Sequence, residues 1–261
     1  MKRLAFLLAA ALLLAVVPVV GFSLETDNNT VLLFLLDERH VDADGVCCNT
    51  VKDLSGLGNH GTIEGEIKVV PGKMDNGYEF DGNSFIQVPK SRALDITQHI
   101  TVEAWAKPEQ LAGENFILDK RAGNPRLGYE LFQVDNVFGF MMATPGKKAV
   151  LNQDEPAPIG TWQYHAATYD GKTMKYYLDG EFLKETDQIG NLGVESDLFI
   201  GTEGFPAGTR HPYKGVLDNI RISKIARTAD EIKETYNKVS RIAAVNPEWK
   251  LAQTWGLIKT Q

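Results

Sequence analysis

The chain has 261 residues and a net charge of −7, contains two cysteines, and is 43% hydrophobic. This length and apolar content suffice for the core of one large domain, and they exclude a disulfide-dense miniprotein and a collagen-like repeat. The acidic balance argues against binding to a nucleic-acid backbone, which requires a basic face.

The N-terminal segment has the pattern of a secretory signal peptide. Lys2 and Arg3 precede an apolar run from Leu4 to Val20, and small residues follow it. A short basic region, an apolar core and a small-residue cleavage region are the three parts of such a signal. We therefore predict a signal peptide at residues 1–22 and a secreted, cell-surface or periplasmic protein with no membrane span after cleavage. An uncleaved N-terminal anchor is the alternative, because the run is close to the length of a membrane span.

The two cysteines, Cys47 and Cys48, are adjacent. In an oxidising compartment we expect them to form a disulfide with each other, although a bond between neighbours closes a strained ring. Pairing with another chain and two unpaired thiols are the alternatives. A zinc site is not expected, since no second Cys or His pair stands at ligand spacing.

Short β-favouring runs bounded by Gly, Pro, Asn or Asp dominate the chain from residue 31 to 223. Asp170-Gly171 and Asp179-Gly180 separate three such runs, and Asp-Gly is a preferred two-residue hairpin turn. About a dozen short strands with tight turns predict an all-β sandwich of two antiparallel sheets. Strands are predicted at Val31–Leu36, Phe85–Val88, Ile100–Lys107, Phe116–Asp119, Tyr129–Val134, Val137–Met142, Tyr164–Tyr169, Met174–Leu178, Phe182–Leu183, Phe199–Ile200 and Val216–Ile222.

One short C-terminal helix is predicted to close the domain. Thr228 and Glu231 match a capping box, in which each side chain can bond the backbone N–H of the other residue. Ile232 and Tyr236 are four residues apart and would share one buried face. Residues 239–261 then form a tail, either a second short amphipathic helix or a mobile segment.

Motifs for catalysis are not convincing. Gly56–Gly61 reads G-x-G-x-x-G, but β-favouring residues follow it where a dinucleotide fold needs a helix. The chain lacks G-x-S-x-G and H-E-x-x-H. Glycosidases need two carboxylates across a groove, and Glu103 stands alone in its strand. We therefore do not expect an enzyme.

The order of the segments resembles a laminin G-like, concanavalin A-like jelly-roll domain over residues 31–238. This resemblance implies two curved antiparallel sheets packed face to face, and a binding or adhesive module more often than an enzyme. Fold alone does not fix function. The segments that carry the resemblance are DLSGLGNHGTI at 53–63, YEFDGNSFIQVP at 78–89, ITVEAWAKPE at 100–109, ILDKR at 117–121, GYEL at 128–131, GTWQYHAATYDGKTMKYYLDGE at 160–181, LFIG at 198–201 and YKGVLDNIRISKIARTADEI at 213–232.

The resemblance also implies a structural calcium ion, since many relatives hold Ca²⁺ near the sheet rim. Calcium prefers carboxylate, amide and carbonyl oxygens. Asp37 ends the first strand, Asn59 lies in a Gly-rich loop and Asp218 lies in the last strand, so the three could converge. The alternative is two turn-capping residues and an exposed or Arg-paired Asp218.

The loop from Glu203 to Tyr213 is the predicted ligand-binding element. It offers Phe205, Arg210, His211 and Tyr213 around Gly and Pro, and sugar sites combine aromatic rings with hydrogen-bonding groups. An ordinary long loop held by its own aromatic residues is the alternative. We expect a non-enzymatic module for carbohydrate or another extracellular ligand. A protein-interaction module docking to a larger assembly is the second hypothesis, and a polysaccharide-cleaving enzyme is the third.

Overall fold

The computed structural model describes residues 26–38, 49–110, 112–123, 125–193, 196–204 and 211–245. These residues form sixteen strands, one α-helix and a single 3-10 turn at Arg92–Leu94. The strands are β1 (Thr30–Phe34), β2 (Thr50–Val51), β3 (Gly61–Glu64), β4 (Lys68–Pro71), β5 (Asn76–Asp81), β6 (Phe85–Val88), β7 (His99–Pro108), β8 (Glu114–Ala122), β9 (Leu127–Val134), β10 (Val137–Thr144), β11 (Lys147–Asn152), β12 (Gln163–Asp170), β13 (Thr173–Leu178), β14 (Glu181–Asp187), β15 (Leu198–Ile200) and β16 (Lys214–Ser223).

The strands form two eight-stranded antiparallel sheets. The first sheet has the order β14-β13-β12-β7-β16-β5-β4, and β1 also pairs with β16. The second sheet has the order β11-β10-β9-β8-β15-β6-β3-β2. Consecutive hairpin strands alternate in each sheet with pairings between distant segments, such as β7 with β16 and β8 with β15, as in a jelly roll, and this confirms the predicted all-β sandwich.

The inner faces of the two sheets form the main hydrophobic core. Alternate residues of each strand point inward, for example Val102 and Ala104 on β7 and Phe138 and Phe140 on β10. His165 on β12 belongs to this interior, and its Nδ1 lies 2.8 Å from the hydroxyl of Tyr176. Burial lowers the pKa of His165 to about 3, so this side chain is a neutral structural element.

Two tight turns of different kinds connect β12, β13 and β14. At Asp179-Gly180 both residues have positive φ, 51° and 79°, which matches the predicted Asp-Gly turn. At the Asp170-Gly171 turn, Asp170 is the last residue of β12, and of these two residues only Gly171 has a positive φ. The Asp170 carboxylate accepts hydrogen bonds from the backbone N–H groups of Lys172 and Thr173, and this fixes the turn.

The helix α1 (Ala229–Val245) covers the outer face of the first sheet. The capping box is present: Thr228 N donates to Glu231 at 2.8 Å, and Glu231 N donates to the Thr228 hydroxyl at 3.3 Å. Tyr236 stacks on Trp105 with ring centroids 5.5 Å apart, and Ile232 is buried beside them. The helix continues through residues 239–245, which the sequence assigned to the tail.

Beneath α1 lies a buried ion pair. Arg221 on β16 contacts Glu103 on β7 through Nε at 2.5 Å and Nη2 at 2.7 Å. The Tyr164 hydroxyl also donates to Glu103, and Arg221 donates to the Thr235 hydroxyl on the helix at 3.0 Å. These contacts fasten the helix to the sheet and make Glu103 inaccessible to a polymer substrate.

No helix in the described part of the chain is long and apolar enough to cross a membrane. The predicted signal peptide, Cys47, Cys48, Phe205, Arg210 and the tail beyond residue 245 lie outside the described residues.

Candidate ligand-binding groove

A groove of about 470 Å³ crosses the outer face of the second sheet, over strands β8 to β11. This volume is within the range of small-ligand sites. The outer face of the first sheet is covered by α1, so the groove lies on the opposite side of the sandwich from the helix. Outward-pointing residues of four adjacent strands line it because side chains alternate between the two faces of a strand.

The floor of the groove is apolar. Phe116 on β8 and Phe132 on β9 are direct cross-strand partners, and Met141 on β10 packs beside them. Gly139 lies between Phe132 and Asn152 in the pairing, and a Cβ there would approach the Asn152 Oδ1 to 2.3 Å. A glycine at this position therefore lets the Phe132 and Asn152 side chains close over the backbone.

A network of charged side chains forms one wall of the groove, beside the apolar floor. Arg121 Nε contacts Asp119 Oδ1 at 2.6 Å, and its Nη2 contacts Glu203 at 3.2 Å and also Glu130. Arg126 Nη2 contacts Asp119 Oδ2 at 2.9 Å, and Arg126 Nη1 contacts Glu203. This network links β8 and β9 to the segment after β15, and it places directional hydrogen-bonding groups next to the apolar floor.

The carboxyl group of Glu130 is strongly perturbed. Burial raises its pKa to about 8, with a further contribution from the charge of Asp119, and these effects outweigh the attraction of Arg121. Burial raises the pKa of Asp119 as well, although two guanidinium groups surround it. Near neutral pH the groove therefore holds one carboxyl group that favours its protonated form.

The structure places part of the predicted ligand loop at this groove and part of it in the core. The His211 Nε2 lies 3.5 Å from Glu114 and 3.6 Å from Glu203, and its ring packs against Phe116. Tyr213 corrects the expectation: it is 0% exposed and packs edge-on against Phe80 in the main core. A ligand cannot reach the Tyr213 ring, because the ring is fully buried; the backbone N–H of Tyr213 donates to the Gly201 carbonyl, just after β15, at 2.9 Å.

Sequence reasoning missed Arg121, Glu130 and Phe132. Their segments, ILDKR at 117–121 and the predicted strand Tyr129–Val134, were recognisable only as strands. A strand at these positions predicts that Leu131 and Phe132 point to opposite faces of the sheet, as they do. The cross-strand pairing that assembles Asp119 with Glu130 was not.

Two of the three predicted calcium ligands lie near each other. Asp218 is fully buried, and its Oδ2 accepts hydrogen bonds from Lys73 N at 2.8 Å and Met74 N at 3.0 Å. Burial raises its pKa well above the usual range, with a further contribution from the charge of Asp37. Burial also raises the pKa of Asp37 to about 7, and Asn76 N donates to that carboxylate at 3.4 Å.

The third predicted ligand, Asn59, is not part of this pair. Its side chain donates to the carbonyl of Val31 at 2.7 Å and accepts from the Ser91 hydroxyl at 2.5 Å. Its backbone N–H donates to Asp53 at 2.9 Å, so the residue fastens a loop to β1. Among the described residues, no cluster of three or more His, Cys, Asp or Glu side chains has the arrangement of a metal site.

The family follows from a comparison with known protein families. Residues 80–233 match the family model of the laminin G type, described as the concanavalin A-like lectin/glucanases superfamily. The match covers more than half of the chain. The chain belongs to this family. Its two antiparallel sheets and their strand order agree with that assignment.

Solved structures with the same fold include several binding domains. Domain 4 of AbnA, a GH43 extracellular arabinanase from Geobacillus stearothermophilus in complex with arabinotriose, is 20% identical with a TM-score of 0.63, covering 80% of this chain and 98% of that one. The binding domain of Paraclostridial Mosquitocidal Protein 1 is 18% identical with a TM-score of 0.63, covering 80% and 52%. At these identities the likeness establishes the fold alone.

A curated relative matches over a shorter stretch. Pappalysin-1 from Homo sapiens is 32% identical over 104 residues, which are 38% of this chain and 6% of that protein. The chain therefore spans only a small part of this relative's length.

Proposed function

We propose that this protein is an extracellular binding module that accommodates an oligosaccharide in the groove across β8 to β11. The observation that carries the proposal is the pairing of an apolar floor, built on Phe116 and Phe132, with the charged wall around Arg121. Sugar rings present apolar C–H faces and hydroxyl edges, so their sites combine aromatic surfaces with a few directional polar groups. The arabinotriose complex of the AbnA domain supports this choice, since that domain has the same fold.

We propose that the groove binds the oligosaccharide without cleaving it. Glu103, the strand carboxylate that a glycosidase could use, is buried under α1, where it forms an ion pair with Arg221. In the groove, Asp119 and Glu203 are each held by two guanidinium groups. Glu130 favours its protonated form, as a general acid does, but its two neighbouring carboxylates are engaged by guanidinium groups and are not free to act as the base or nucleophile that glycoside hydrolysis also requires, which argues for recognition rather than catalysis.

An oligosaccharide array followed by calorimetry tests the proposal. We expect the protein to bind at least one oligosaccharide, and Val150→Ser to weaken that binding roughly threefold to tenfold, since Val150 is a 44% exposed side chain lining the groove. Ile159→Ser is the matched control, because Ile159 is 60% exposed and lies outside the groove lining. Equal weakening by both substitutions, or an array with no bound sugar, would contradict the proposal.

We also propose a structural calcium ion at Asp37 and Asp218. The partly exposed Asp37 carboxylate lies close enough to the buried Asp218 to influence its charge, and Asn219, whose Nδ2 donates to Asp218 Oδ1 at 2.7 Å, has its own Oδ1 buried without a hydrogen-bond partner among the described residues. An unpartnered buried oxygen beside two carboxylates fits the oxygen ligands that calcium prefers. The ion would offset the repulsion between the two carboxylates and join the end of β1 to β16.

Thermal unfolding with and without chelator tests this site. At a calcium concentration about 100 times its Kd, we expect a stabilisation of about 2.7 kcal/mol, which raises the Tm by roughly 5–10 °C over that in EDTA. Asp218→Asn should abolish the response, whereas Asp170→Asn, in an exposed turn, should retain it. The same Tm in calcium and in EDTA would refute the proposed ion.

A further inference from the structure

The charged wall of the groove contains more carboxylates than its cations can neutralise. Asp119, Glu130 and Glu203 face two guanidinium groups, those of Arg121 and Arg126. All these side chains except Arg126 are at least nine-tenths buried. Lys148 also lines the groove, but it is exposed and is outnumbered there by the exposed Glu114 and Asp135. With every group ionised, this wall carries an uncompensated negative charge at low solvent exposure, which is costly unless a proton or a cation joins it.

Glu130 is the least compensated of the three carboxylates. Asp119 contacts both guanidinium groups and accepts a hydrogen bond from Gly204 N at 3.0 Å, and Glu203 also contacts both guanidinium groups. Among the described residues Glu130 forms an ion pair with Arg121 alone, while Lys148 and Arg126 act on it only through their charge, and the Glu130 Oε2 makes no well-directed hydrogen bond. Its raised pKa agrees with this geometry.

A second acceptor in the groove also lacks a donor. Within the described part of the chain, the Asn152 Oδ1 is buried without a hydrogen-bond partner, and Asn152 lines the same groove as Glu130. Glu130 on β9 pairs with Met141 on β10, and Met141 pairs with Val150 on β11. Asn152 lies two residues beyond Val150 on β11, so it is two strands and two residues away from Glu130. At about 4.8 Å between strands and 3.3 Å per residue, their Cα atoms are roughly 12 Å apart. The groove therefore has two separated acceptors, Glu130 Oε2 and Asn152 Oδ1, that lack a well-placed hydrogen-bond donor among the described residues.

We propose that the groove selects an oligosaccharide that carries primary amines, one of which pairs with the Glu130 carboxylate. An ammonium group supplies three donors and the positive charge that the wall lacks. On binding, the ammonium replaces the proton on Glu130, and that proton is released to the buffer. Repeated amines along the oligomer also bring a donor towards Asn152. Acidic sugars are disfavoured, since both guanidinium groups are already engaged. This inference rests on the carbohydrate-binding function proposed above.

A pair of ligands differing only in their amines provides the test. We expect the tetramer of glucosamine to bind at least about tenfold more tightly than the tetramer of N-acetylglucosamine at about pH 6, where the amines are protonated. Calorimetry in two buffers of different ionisation enthalpy should detect proton release with the first tetramer and none with the second. Equal or tighter binding of the acetylated tetramer would overturn the inference.

Glu130→Gln retains the shape of the side chain and removes its charge. We expect it to fold and to bind the two tetramers within about threefold of each other, without proton release. Glu185→Gln, on an exposed residue of β14 outside the groove, should retain the full preference. A tenfold preference that survives in Glu130→Gln would contradict the assignment. If arabinotriose binds in the groove and neither tetramer does, the amine inference fails while carbohydrate binding stands; if no sugar binds, both fail.

Discussion

Arg221→Ala is expected to destabilise the protein by about 3–5 kcal/mol, the cost of leaving one member of a buried ion pair without its partner. The Arg221 guanidinium is 6% exposed and the Glu103 carboxylate is 0% exposed. Without Arg221, Glu103 keeps the Tyr164 hydroxyl and the more distant Arg227 Nε at 3.9 Å but loses its two short charged contacts, and Thr235 on α1 loses its contact with Arg221. The helix should therefore loosen together with the loss of global stability.

Urea denaturation followed by circular dichroism and tryptophan fluorescence measures this effect. Lys175→Ala is the matched control: it breaks the exposed Lys175–Glu185 pair at 3.5 Å and should cost less than about 1 kcal/mol. The double substitution Arg221→Met with Glu103→Leu should recover most of the stability, because it removes both charges from the interior. A loss below about 1 kcal/mol for Arg221→Ala would show that the pair does not fasten the helix.

Tyr213→Ala is expected to destabilise the protein by about 3–5 kcal/mol through the cavity it leaves in the main core. The Tyr213 ring is 0% exposed, and its centroid lies 6.4 Å from that of Phe80. The Tyr213 hydroxyl is buried without a hydrogen-bond partner among the described residues. Tyr213→Phe should therefore be neutral or slightly stabilising, because it removes an unsatisfied polar group and keeps the ring.

The two Tyr213 variants separate a core role from a ligand-binding role. Denaturation midpoints give the stability, and binding of the sugar identified on the array gives the function. We expect Tyr213→Phe to bind the sugar with unchanged affinity. Loss of binding in Tyr213→Phe at unchanged stability would instead support the ligand role that the sequence suggested.

The sequence predicted most of the strands because their signals are local. Phe85–Val88 was placed with its observed bounds, and the Asp179-Gly180 turn identified the β13–β14 hairpin. The strands β2, β3, β4, β5 and β11 were not among the predicted strands, although β-favouring residues follow Gly61, where β3 and β4 lie. β2 has two residues, and β11 carries two lysines with few β-favouring neighbours, so neither has a strong local pattern. They form because their backbone groups hydrogen-bond to a neighbouring strand.

The groove could not be predicted because it depends on pairing between distant segments. Asp119 and Glu130 become neighbours through the register of β8 and β9, and Glu203 joins them from a segment more than 70 residues later. The predicted ligand-binding loop from Glu203 to Tyr213 includes His211, which does lie beside the groove. The sequence of this loop could not show that Tyr213 turns inward, since Tyr suits both a surface and a core.

Hydrogen–deuterium exchange with and without the sugar identified on the array tests the central claim, that the outer face of the second sheet binds the ligand. We predict slower exchange in peptides from β9, β10 and β11, and unchanged exchange in α1 and in β13 and β14. Protection confined to α1 or to the hairpin of β13 and β14, with no change in β9 to β11, would contradict it.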